Sequence, residues 1–220
     1  AIMAETLQMV SHEWRQPLNS ISIQAQKIEL DYTINDEINI NELMETLVGI
    51  KNKASELSNT IEDFQGYVTL KSEKQKANAS NIVEKALNTF NSDPQSKNIT
   101  LIKEVDKIDD FETFSNELST VLLNVFINSK EAIIKNKIED GFIKLKVYSK
   151  NNIINFEIID NGHGIDEDII DKVFEPYFST KEARHGVGLG LYMCKTIIEM
   201  HFNGTIIIKN NEVGATTLIS

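Results

Sequence analysis

Four short clusters in this 220-residue chain have residue types and spacings suited to phosphoryl chemistry. The first is Ser11-His12-Glu13-Trp14-Arg15-Gln16-Pro17-Leu18. A histidine attacks only through a neutral ring nitrogen, and a neighbour must hold the tautomer. The Glu13 carboxylate is placed to accept from Nδ1–H, which leaves Nε2 free to attack phosphorus and stabilises the charge that develops on the ring. Pro17 has no N–H, so the carbonyl of Glu13 loses its helical partner. A bend is expected there, one turn past the histidine.

The other three clusters suit a nucleotide. Asn124 and Asn128 are four residues apart on one predicted helix and so share a face. Their amide oxygens suit a hard cation such as Mg²⁺, and on an apolar helix they would be costly without a partner. In Asp160-Asn161-Gly162-His163-Gly164, Asp160 ends a mostly apolar predicted strand, where it can accept from the exocyclic amine of adenine. Gly162 and Gly164 let backbone approach the base. Gly186-Val187-Gly188-Leu189-Gly190-Leu191 opens a helix whose N–H groups and terminus favour phosphate. A dinucleotide-binding Rossmann unit would instead place such a run after its first strand, with an acidic residue about twenty further on. A phosphate loop would need Gly-Lys-Ser/Thr, which is absent.

Together these motifs resemble the catalytic core of a bacterial two-component sensor histidine kinase, from residue 11 to 217. The resemblance implies that ATP phosphorylates His12 and that the phosphoryl group passes to an aspartate on a response regulator receiver domain. It makes ATP and Mg²⁺ the cofactors, with Mg²⁺ held chiefly by Asn128, Asn124 assisting, and the role of Glu131 open. Phe174-Glu175-Pro176-Tyr177-Phe178-Ser179-Thr180-Lys181 is similar to the start of the family's ATP lid, with Lys181, Arg184 and His185 as phosphate contacts. Thr216 takes the place of a threonine that sits beside Asp160 and holds adenine through water. His163 and His201 lack the context of His12. Gln16 stands where the class often has Thr or Asn to position water for dephosphorylation, so its longer amide is a phosphatase candidate. Gyrase- and Hsp90-type ATPases carry a glutamate where this chain has Asn124, which favours transfer over hydrolysis. The rival readings are a docking module with a vestigial ATP site and a chaperone-type ATPase.

The elements that must position these residues fall into two halves. Residues 4–72 carry apolar positions at three-four spacing, from Leu7 to Tyr32 and again from Ile40 to Val68, around a polar break at Asn35-Asp36-Glu37. This predicts two helices of roughly thirty residues in a hairpin, expected to dimerise into a four-helix bundle. The handedness of its turn, near Thr33–Ile38, decides whether phosphorylation runs within or between subunits. Residues 73–78 read as a polar linker. Residues 79–220 read as an α/β sandwich with helices on one face of a mixed sheet, which the resemblance makes an ATP-binding domain of the gyrase/Hsp90/histidine-kinase type. Predicted helices cover 81–91, capped by Asn81 or Ser80, then 115–137 and 188–202. Predicted strands lie near 99–105, 110–114, 141–149, 153–159, 205–210 and 214–219. The fold class is therefore α+β.

The net charge of −11 argues against a nucleic-acid partner and leaves ATP binding to local devices. A single cysteine fits a reducing cytoplasm. With no apolar run near eighteen residues, no membrane contact is expected here. The chain opens eleven residues before His12, so an upstream sensing region, with or without a membrane anchor, is expected in a longer parent protein.

Overall fold

The structure, a computed structural model, describes residues 2–35, 39–68, 73–180 and 188–220. The chain divides into two compact units, one centred on residues 1–65 and one built from 66–180 and 187–220.

The first unit contains α1 (Ile2–Asn35) and all but the last three residues of α2 (Ile40–Val68). Gly49 of α2 faces Gln24 of α1 so closely that a Cβ there would lie 2.6 Å from Gln24 Oε1, as expected for two helices running back along each other. The backbone of α1 is helical on both sides of Pro17. Ile23, Leu30, Ile34, Ile40, Met44 and Val48 are all exposed on this unit, so much of its apolar surface is left uncovered. No helix among the described residues is long and apolar enough to cross a membrane.

The second unit is a five-stranded sheet with order β2-β4-β5-β7-β6, formed by β2 (Thr100–Val105), β4 (Phe142–Lys150), β5 (Ile153–Asp160), β6 (Ile206–Asn210) and β7 (Ala215–Ile219). Among the described strands, β2 and β4 run parallel and the other neighbouring pairs antiparallel. The crossover between them carries β3 (Phe111–Thr113) and α4 (Ser115–Lys135). Alternation sorts the sheet's two faces. Ile143, Leu145 and Val147 of β4 are buried, while Lys144 and Lys146 point outward and pair with Glu104 and Glu157. The buried face carries α3 (Ala79–Asn91), α4 and α6 (Gly190–His201). Phe90 of α3 meets Phe126 of α4 edge to face at 5.8 Å, and Leu122 and Val121 are fully enclosed beside them. Each such side chain contributes about 1.5–3 kcal/mol by leaving water.

Three elements lay outside the expected set. Gln75–Ala77, within the expected linker, form β1, which pairs antiparallel with β3. Pro94–Asn98 form a 3-10 helix opened by Asp93, and Glu167–Ile170 form the single turn α5. The cap of α3 is Asn78, whose side chain accepts from Ser80 N–H, rather than Ser80 or Asn81. The helix therefore starts two residues earlier than its apolar period indicates.

At the far end of the helical layer, Glu117 in the first turn of α4 is buried and sits 2.5 Å from Nδ1 of His201, in the last turn of α6. A histidine suits a helix C-terminus, and the pair ties the start of α4 to the end of α6. Lys130 of α4, almost buried, pairs with Asp93, whose carboxyl is held below its usual range by that ammonium and by the N–H of Gln95.

Candidate functional site

The best-organised polar cluster lies where β5 ends against α4 and β7. Asp160 is only 6% exposed, yet its carboxylate is bonded on both oxygens. Oδ2 accepts from Ser129 Oγ at 2.8 Å. Oδ1 accepts from the N–H of Gly162 at 2.9 Å and from that of Ala215 at 3.3 Å. A carboxylate oxygen takes two hydrogen bonds, so Oδ2 keeps capacity for one further donor.

The loop after Asp160 is pinned by amide side chains. Asn136 at the end of α4 donates to the carbonyl of Gly162 at 2.8 Å. Asn161 accepts from Phe142 N–H and donates to the carbonyl of Asp140. Gly162 lies against α4 so tightly that a Cβ would fall 2.7 Å from that of Ala132. Gly164 has φ +76, which suits glycine, and His163 before it also has positive φ.

Thr216 lies one step from the level of Asp160. The register pairs it with Ile159, and its hydroxyl accepts from Asn211 Nδ2 at 3.0 Å. Ala215, Thr217 and Ile219 are buried on the helix-covered side, while Thr216 and Leu218 are half-buried on the other. The residue whose N–H meets the Asp160 carboxylate is Ala215, and the hydroxyl on the same face is that of Thr217.

Asn124 and Asn128 are both half-buried on α4, one turn apart. The amide nitrogen of Asn124 turns back to the carbonyl of Thr120 at 3.0 Å, which leaves its oxygen as the available group. Among the described residues no hydrogen bond engages the Asn128 amide. A half-buried amide without a partner suits an oxygen ligand for a hard cation. No group of three or more His, Cys, Asp or Glu side chains able to hold a metal occurs among the described residues. Among the described residues, a cation at Asn128 would therefore draw on amide oxygens, those of Asn128 and Asn124, rather than on such a cluster.

The other end of the site is the start of α6. Gly188 has φ +70, and a Cβ there would lie 2.6 Å from the carbonyl oxygen of Phe178 and 2.6 Å from the carbonyl carbon of Tyr177. Glycine at 188 is thus required for the backbone before α6 to lie against Tyr177 and Phe178. Tyr177 itself has φ 65. Leu189 is buried and makes no side-chain cap, so the first N–H groups of α6 have no capping side chain. Lys195 of α6 lies over the ring of Phe174 at 5.7 Å, which fixes the aromatic segment to the helix. Gly190 is the first residue of α6 and Leu191, half-buried, the second.

Lys181, Arg184, His185 and Gly186 lie outside the described residues. His12 and Glu13 fall on α1, with side chains outside the described set. Gln16 is exposed and Pro17 half-buried one turn later. Ser129, Asn136, Asn210 and Asn211 were not singled out from the sequence. Ser129 had only its place beside Asn128 as a signal, while Asn210 ended a predicted strand and Asn211 fell between two predicted strands.

Residues 114–220 match the profile of the family described as histidine kinase-, DNA gyrase B- and HSP90-like ATPases. The α/β unit has the fold of ATP-binding domains of the gyrase/Hsp90/histidine-kinase type. Curated relatives point the same way. The sensor protein KdpD of Clostridium acetobutylicum is 36% identical over 100 residues, 44% of this chain and 11% of that protein. The sensor histidine kinase ZraS of Salmonella typhimurium is 29% identical over 210 residues, 92% of this chain and 42% of its own length. Among solved structures, the catalytic domain of histidine kinase ThkA is 28% identical with a TM-score of 0.58, covering 67% of this chain and 94% of that one. ThkA in complex with response regulator TrrA matches 99% of this chain and 61% of that one, with a TM-score of 0.65 at 23% identity, a likeness of fold. The chain spans less than half the length of these two curated relatives. The resemblance to sensor histidine kinases drawn from the motifs is confirmed.

Proposed function

We propose that this chain is the kinase core of a two-component sensor: ATP bound in the α/β domain phosphorylates His12, and the phosphoryl group then passes to an aspartate of a response regulator. The observation that carries this reading is the Asp160 corner, a buried acceptor with one vacant position, matched to the amino edge of adenine.

From Asp160 the nucleotide would extend past Asn124 and Asn128 toward the uncapped N-terminus of α6. There the free N–H groups of the helix favour negative charge. Mg²⁺, when bound, supplies charge neutralisation at the phosphates, with Asn128 as the residue to hold it and Asn124 beside it. Lys181 and Arg184 are the cations proposed for the same phosphates. Asn124 carries no carboxylate to activate water, which disfavours hydrolysis as the main outcome.

In the transfer step Nε2 of His12 attacks the γ-phosphorus, the bond to the β–γ bridging oxygen breaks, and ADP leaves. Glu13 holds the Nδ1 proton and offsets the charge on the ring. Catalysis is positioning and charge neutralisation, so the α/β domain must bring the γ-phosphorus into line with His12. The phosphoramidate P–N bond then breaks as a receiver aspartate takes the phosphoryl group, and Gln16 is the proposed residue to orient water for hydrolysis of the receiver's phosphoaspartate to phosphate. The exposed apolar residues of α1 and α2 support a homodimer through residues 1–72, with 73–78 as linker and 79–220 as ATP domain. A complex of ThkA with its response regulator supports the choice of partner. We place this core in the cytoplasm.

Incubation with γ-labelled ATP tests the reading. Wild type should gain an acid-labile, base-stable label, and His12→Ala should gain none. Release of phosphate without any labelled protein would instead identify an ATPase of the chaperone type.

A further inference from the structure

The base corner is held from a second place in the chain, the turn between β6 and β7. Asn211 uses both ends of its amide there. Its oxygen accepts from the N–H of Val213 at 2.9 Å and of Gly214 at 2.7 Å, which shapes the turn. Its nitrogen donates to the carbonyl of Ala215 at 2.8 Å, to Thr216 Oγ1 at 3.0 Å and to the carbonyl of Asp160 at 3.4 Å. Asn210 grips the opposite end of the loop. Its oxygen accepts from Ile165 N–H at 2.8 Å and its nitrogen donates to the carbonyl of Ile165 at 2.6 Å.

Two adjacent amides therefore clasp both ends of residues 160–165. The approach leaves no space for side chains: a Cβ on Gly214 would lie 2.2 Å from the carbonyl oxygen of Asp160, and one on Gly164 would lie 2.7 Å from Asn210 Oδ1. Ala215 is the hinge of the arrangement. Asn211 holds its carbonyl, and its N–H donates to Asp160 Oδ1 at 3.3 Å, the longest bond the carboxylate receives. The longest of the three bonds is thus the one that runs through the residue Asn211 holds, while Ser129 and Gly162 hold the carboxylate independently.

We propose that Asn211, with Asn210 as its partner, is a positioning residue that fixes the Asp160 carboxylate for a 6-amino purine and against a 6-oxo purine. This rests on the reading of Asp160 as the adenine acceptor. A 6-oxo group presents an acceptor to a fixed acceptor, so discrimination depends on how firmly the carboxylate is aimed. An asparagine that served stability alone would weaken both purines equally.

The test is equilibrium binding of ATP and ITP to the full chain, as wild type, Asn211→Asp and Asn210→Ala. Asn211→Asp keeps the oxygen that shapes the turn and replaces the donating nitrogen by an acceptor. Wild type should prefer ATP, and the ATP/ITP affinity ratio should fall about tenfold in Asn211→Asp, the worth of one hydrogen bond to a charged group. The ATP/ADP ratio, which reads the phosphate end, should stay as in wild type. A cooperatively melting Asn211→Asp with the wild-type ATP/ITP ratio overturns the proposal. Should that variant not fold, Asn210→Ala decides: a fall in the ratio of about threefold, part of one hydrogen bond, supports the role, and an unchanged ratio refutes it. A wild type that binds neither nucleotide refutes the base-site reading itself, a different result from a wild type that discriminates beside variants that do so equally well.

Discussion

The two ends of the proposed nucleotide site are built in opposite ways. At the base end, Asp160 receives three hydrogen bonds and the loop after it is held by Asn136, Asn161, Asn210 and Asn211. At the phosphate end, the amide of Asn128 has no partner among the described residues and α6 begins without a side-chain cap. A neutral, hydrogen-bonding ligand is best read by groups already fixed, because loose donors and acceptors lose discrimination. A charged ligand can itself complete the bonds of the groups around it. The base end is finished before the ligand arrives, and the phosphate end is finished by it.

The largest test of this contrast is Asp160→Asn. It gives Ser129 and the two backbone donors a mixed partner and takes away the charge, so ATP affinity should fall roughly hundredfold by calorimetry. A loss under threefold would show that the finished end does not carry the binding. Next comes Asn128→Ala, expected to weaken ATP about tenfold with Mg²⁺ present and to match wild type in excess EDTA. Equal losses in both conditions would remove the cation from the comparison.

Two glycine variants then separate the ends. Gly188→Ala and Gly164→Ala both force a side chain into positive φ, and each should cost about 1–2 kcal/mol, seen as a Tm lowered by several degrees. Gly188→Ala should depress the ATP/ADP affinity ratio, Gly164→Ala the ATP/ITP ratio, and a crossed pattern would break the assignment. The smallest effect concerns Cys194 on α6, whose thiol burial pushes up to about 12. Alkylation at pH 8 should be slow in the free protein and slower still with ATP bound, since the helix start is the end that the ligand completes. An alkylation rate that ATP leaves unchanged would show that α6 is already fixed without it.

The long helices and the sheet strands were legible because their apolar periods are regular: Leu118, Leu122 and Val125 on α4, or Ile143, Leu145 and Val147 on β4. Strand β1 was not, because three residues reading Gln-Lys-Ala become a strand only through pairing with β3. Asp160, Gly162 and Gly164 could be singled out as local motifs. Their partners could not, since Ser129 is 31 residues from Asp160 and Asn210 is 45 from Ile165, and one sequence carries no sign of such pairings. Thr216 illustrates the same limit at finer grain. A strand alternates faces at every residue, so without the register a threonine beside the carboxylate cannot be told from one on the far side.

The bond from Ala215 N–H to Asp160 spans 55 residues, and it joins the fifth strand to the last. Closing so long a loop is slow relative to forming the β4–β5 hairpin. Competence to recognise a purine is thus among the latest properties to emerge as the chain folds. A polypeptide interrupted between residues 202 and 214 would hold every helix of the layer and still lack the N–H that completes the Asp160 corner.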